Sequence, residues 1–114
     1  MRSAMSSVED ALKLGKEGKP VLLFFMDAGP KCKPWLEALG DKSLDDVFAK
    51  VAYVTVDFKK DGEEEKKWKA TGAPTVILID ASKDEAKEIK KLTSPVPASI
   101  KKDLTEAVKK LEKK

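Results

Sequence analysis

The order of apolar runs and helix signals predicts an α/β domain with a mixed four-stranded sheet and helices on both faces. Three observations carry this reading. Val21–Met26, Val51–Phe58 and Thr75–Ile79 are short runs rich in Val, Ile, Leu and aromatic residues, which suits strands rather than helices. Helix-forming segments separate them, which suggests right-handed crossovers. A polar stretch, Asp80–Asp84, then leads to a weaker run, Lys87–Thr93, and the pair reads as a hairpin.

The elements follow in order. Ser7-Val8-Glu9-Asp10 has the form of a capping box, and Val8, Ala11 and Leu12 fall on one helical face. Gly15 and Gly18 are expected to stop this helix, and Lys19-Pro20 leads into the first strand. A loop, Asp27–Lys33, precedes a helix from Pro34 to Leu39, which Gly40-Asp41 breaks. Ser43–Phe48 reads as a short helical piece capped by Ser43. After the second strand, Lys59–Gly62 turns the chain, and Glu63–Ala70 is a charged helix anchored by Trp68. Thr71–Pro74 is a turn into the third strand. The lysines of Lys87–Thr93 suit an edge strand. Ser94-Pro95-Val96-Pro97 is a rigid lead-in to a last helix whose apolar stripe is Ile100, Leu104, Val108 and Leu111.

With 114 residues the chain reads as one domain, able to hold a core without disulfides. Residues 1–5 are set apart as a cloning remnant or a disordered N-terminus. Charged residues make up 38% of the chain, yet the net charge is only +3 and lysines are interspersed with Glu and Asp. A nucleic-acid surface would need segregated basic charge with exposed aromatics, so nucleic acid is not an expected partner. No apolar stretch reaches membrane-spanning length, so no membrane partner is expected. Histidine is absent, which excludes Cys-His and Ser-His pairs and most zinc sites. No metal and no cofactor is expected. Asn and Gln are absent too, and Lys and Glu are abundant, a bias shared with thermophile proteins. Cytoplasmic residence is the default expectation, and a trimmed signal peptide would make it periplasmic or secreted.

The chemistry-bearing stretch is Asp27–Trp35, which holds the single cysteine, Cys32, between a strand and a helix. Free backbone N–H groups at a helix start favour an anion, and Lys31 and Lys33 flank the sulfur. Both effects favour a thiolate and predict a pKa below the free value of about 8.5. The same position equally admits a buried cysteine that only packs.

Lys19-Pro20-Val21-Leu22-Leu23-Phe24-Phe25, Tyr53-Val54-Thr55-Val56-Asp57 and, most specifically, Trp68-Lys69-Ala70-Thr71-Gly72-Ala73-Pro74-Thr75-Val76 resemble segments of the thioredoxin superfamily. The last is similar to the family's aromatic-x-x-x-Gly-x-Pro-Thr motif, which ends in a cis proline. The resemblance spans Pro20 to Leu111. It implies a thioredoxin-like fold, here with an extra N-terminal helix. That helix and the Ser43–Lys50 insertion resemble the branch found in bacterial disulfide-interchange proteins.

The family's Cys-x-x-Cys motif is degenerate here, and two registers fit. In one, Cys32-Lys33-Pro34-Trp35 is the motif, Cys32 is the exposed nucleophile and Trp35 stands where the resolving cysteine would be. In the other, Gly29-Pro30-Lys31-Cys32 is the motif, Gly29 replaces the nucleophile and Cys32 is the more buried partner. The resemblance implies Cys32 as the catalytic candidate, with Lys31, Lys33, Pro34, Trp35, Ala73, Pro74 and Thr75 as binding candidates. Trp35 and Trp68 are expected mainly to pack. The expected function is single-thiol exchange with a protein or peptide thiol or disulfide, resolved by an outside thiol such as glutathione. The alternative is a non-catalytic module that binds an extended peptide in the groove beside Pro74. A monomer is expected.

Overall fold

The computed structural model describes residues 7–27, 29–83 and 85–112. Residues 1–5, set apart above, lie outside them. In chain order the elements are α1 (Val8–Lys16), β1 (Val21–Met26), α2 (Lys33–Leu39), a 3-10 turn (Lys42–Leu44), α3 (Asp45–Phe48), β2 (Ala52–Asp57), α4 (Glu63–Lys67), β3 (Thr75–Asp80), β4 (Lys87–Leu92) and α5 (Pro97–Glu112).

The sheet order is β2-β1-β3-β4. β1 is central because both of its faces are apolar: Val21 through Phe25 are all fully buried. It pairs in parallel with β2, Val21 opposite Ala52, and antiparallel with β3, Val21 opposite Ile79. β3 and β4 form the antiparallel hairpin pair, with a register shift at Leu78/Ile79. Lys87, Lys90 and Lys91 are exposed on β4, which leaves charge on that edge.

Alternation along the strands divides the core in two. Leu22, Phe24, Val76 and Leu78 pack with α2, α3 and α5. Val21, Leu23, Phe25 and Ile77 pack with Ala11 of α1, Trp68 and Ala70. Helical segments therefore cover both faces. On the α3 side the Phe48 and Tyr53 rings meet tilted, with centroids 5.3 Å apart.

Several local expectations are corrected. Ser7 does cap α1, its hydroxyl oxygen accepting the Asp10 N–H at 3.3 Å. Gly15, however, does not end the helix. It is a buried residue inside it, and only Gly18, with φ of 104°, terminates the segment. The cap of the 3-10 turn is Asp41, whose Oδ1 accepts the Ser43 N–H at 2.8 Å, and not Ser43. α4 stops at Lys67 and Trp68 is its C-cap. Pro97 opens α5 instead of preceding it, since proline lacks only an N–H that the first helical turn leaves unbonded.

The largest correction concerns the second connection. A second crossover would set β3 parallel to β1, but β3 runs antiparallel to it. The link from β2 to β3, residues 58–74, holds only the five-residue α4, and its remainder is turns that reverse the chain instead of carrying it back along the sheet. β2 ends, at Asp57 opposite Met26, on the same side as β3 begins, at Thr75 opposite Phe25. That brings the Thr71–Pro74 turn to the end of the sheet where the cysteine loop leaves β1. The Ala73–Pro74 peptide bond is cis.

Candidate functional site

The site is built where β1 gives way to α2. Met26 closes the strand, and its carbonyl accepts the Phe58 N–H at 2.8 Å, which ties the end of β1 to the chain leaving β2. The Asp27 side chain then folds the loop back: its Oδ1 accepts the Gly29 N–H at 2.8 Å. The Cys32 N–H reaches Gly29 O at 3.3 Å, closing a four-residue turn, and Cys32 O accepts the Leu36 N–H at 3.0 Å as α2 begins.

Cys32 is the N-cap of α2, but its side chain makes no capping bond. It is 1% exposed and packs in the same cluster as Trp35, itself 6% exposed. Its sulfur belongs to Asp27. The Asp27 backbone N–H donates to Sγ at 3.4 Å, and the thiol donates to Asp27 Oδ1 at 3.4 Å. Burial pushes the Cys32 pKa up. The Asp27 N–H opposes this by stabilising the thiolate, while the Asp27 carboxylate adds to it by accepting the thiol proton and repelling negative charge.

The exposed sulfur with a depressed pKa that the first register requires is therefore not what this site holds. Lys31 and Lys33 are exposed, and neither contributes to the shift. α2 has only seven residues, so its dipole is modest, and desolvation of a covered sulfur outweighs it. Pro34 is exposed on the first turn. Ala73, Pro74 and Thr75 are all half-buried, and Ala73 packs against the cluster that holds Cys32 and Trp35. Thr75 Oγ1 donates to Gly72 O at 2.6 Å, which fixes the entry to β3. The structure thus joins Cys32, Trp35 and Ala73 and leaves Lys31, Lys33 and Pro34 on the outer side of the loop.

Sequence reasoning undervalued Asp27, which it placed in the loop with no role. It also missed a signal for the depth of Cys32. Cys32, Trp35, Leu36 and Leu39 stand at i, i+3, i+4 and i+7, the spacing of an apolar helix stripe, and the sulfur continues that stripe inward. Among the described residues no group of metal-ligating side chains is present, and no helix is long and apolar enough to cross a membrane.

Strand order, helix placement and a cysteine loop at the end of the sheet where β3 begins define an α/β protein of thioredoxin-like architecture. Comparison with solved structures makes this specific. A thioredoxin from Thermus thermophilus superposes with a TM-score of 0.77 at 19% identity, covering 93% of this chain and 87% of that one. Trxlp from Edwardsiella tarda gives 0.72 at 17% identity, with 90% and 98% covered. The DsbH oxidoreductase gives 0.70 at 26% identity, with 95% and 86% covered. No family model and no curated protein sequence matches. The chain has the thioredoxin-superfamily fold, and it carries one cysteine.

Proposed function

We infer that the protein is a thioredoxin-fold binding module, in which Cys32 packs and the half-buried Ala73-Pro74-Thr75 entry to β3 receives an extended peptide. The observation that carries this is the Cys32 sulfur: 1% exposed, bonded to Asp27 on two sides and shifted toward the protonated thiol. A nucleophile needs exposed thiolate. A dithiol cycle also needs a second thiol, and the chain has none. This favours the register in which Gly29 replaces the nucleophile and Cys32 is the inner partner. The peptide would add backbone hydrogen bonds beside β3, with side-chain pockets supplying selectivity.

The similarity to an oxidoreductase at 26% identity favours a second reading, single-thiol exchange. The Cys32 thiolate would attack a partner disulfide, forming a mixed disulfide and releasing one partner thiolate. An outside thiol such as glutathione would then attack the mixed disulfide and free Cys32.

Two measurements on the folded protein separate the readings. Cys32 alkylation by iodoacetamide at neutral pH is expected to be far slower than in denaturant. Amide shifts of Gly72–Thr75 are expected to move when a cysteine-free extended peptide is titrated in. Rapid alkylation together with a stable glutathione adduct would establish the redox reading instead.

A further inference from the structure

We draw no further inference here: the strongest candidate, the surface patch around Val96, which stands exposed between Pro95 and Pro97 where the chain passes from β4 into α5, is a single apolar side chain and nothing in the structure shows what covers it.

Discussion

Cys32 and Asp27 satisfy each other: the Asp27 N–H donates to the sulfur and the thiol donates to Asp27 Oδ1, both at 3.4 Å. The arrangement suits a protonated thiol, because ionisation would remove the donor and set a thiolate beside a carboxylate. Cys32 is thus raised in the folded state, burial first and the Asp27 carboxylate after it. The unfolded chain loses its thiol proton near pH 8.5. The contribution of this group to stability is complete below that pH and is lost as pH rises through the folded-state value, because there the folded state binds more protons than the unfolded one. Denaturant melts of the native chain and of Cys32→Ala from pH 7.5 to 10.5 check this. The stability advantage of the native chain is expected to shrink as pH rises, and an advantage that grows would show a thiolate favoured by the fold.

Asp27→Asn tests the carboxylate alone. The amide keeps an oxygen to accept the Gly29 N–H, so the loop is preserved. It removes the negative charge and weakens the acceptor for the thiol. The Cys32 pKa is expected to fall, with burial still opposing ionisation. Alkylation at pH 8 should be faster than in the native chain, and an unchanged rate would show that Asp27 has no hold on the sulfur.

Gly29→Cys tests the register. The Gly29–Cys32 turn brings the two Cα atoms within about 7 Å, and disulfides span about 4.4–6.8 Å between Cα atoms. A Cβ at position 29 would approach Asp27 Oδ1 at 2.9 Å, a flexible side-chain end that can shift. The variant is expected to form an internal disulfide and, with dithiothreitol as reductant, to reduce insulin, while the native chain does not. Two free thiols persisting under mild oxidant would instead support the register starting at Cys32.

Much of the fold was legible because its strands are short apolar runs between plain punctuation. Val21–Met26 declares itself a strand, and Ala73-Pro74 sits at the entry to β3 where the motif puts it. What a sequence read element by element loses is relations across space. The direction of β3 is set by its antiparallel pairing with β1, which no single element shows by itself. Gly15 looked like a stop because glycine usually is one, and only the proximity of Ala81 explains it. At the site, position relative to the helix start was readable but depth was not. Depth came from helical phase with Trp35 and Leu39, and the sign of the Cys32 shift followed from depth.

Removing the carboxylate of Glu65 should unsettle the Lys59–Gly62 turn that leads into α4. Its Oε2 is the acceptor for the Lys59 N–H. Glu65→Ala leaves that part-buried donor without a protein partner, at a cost of up to about 1–3 kcal/mol, less where water reaches it. Glu65→Gln keeps an acceptor and should cost less. Denaturant melts of the two variants give the comparison, and equal losses would mean that volume, not the hydrogen bond, is what Glu65 contributes.

Gly15→Ala sets two effects of opposite sign against each other. In an exposed helix interior, alanine is about 1 kcal/mol better than glycine. Here a Cβ would lie 2.6 Å from the Ala81 Cβ and 3.1 Å from Val21 Cγ2. The Ala81 methyl is bonded directly to backbone, so it can yield only if the chain after β3 or the whole of α1 moves. Overpacking of this kind costs about 1–3 kcal/mol, enough to cancel or exceed the propensity gain. The variant is expected to be less stable than the native chain, with the loss recovered in the double variant Gly15→Ala/Ala81→Gly, where the space is returned. A single variant that melts higher than the native chain would show that α1 is free to shift on the sheet, and that Gly15 is not what sets its approach to Ala81.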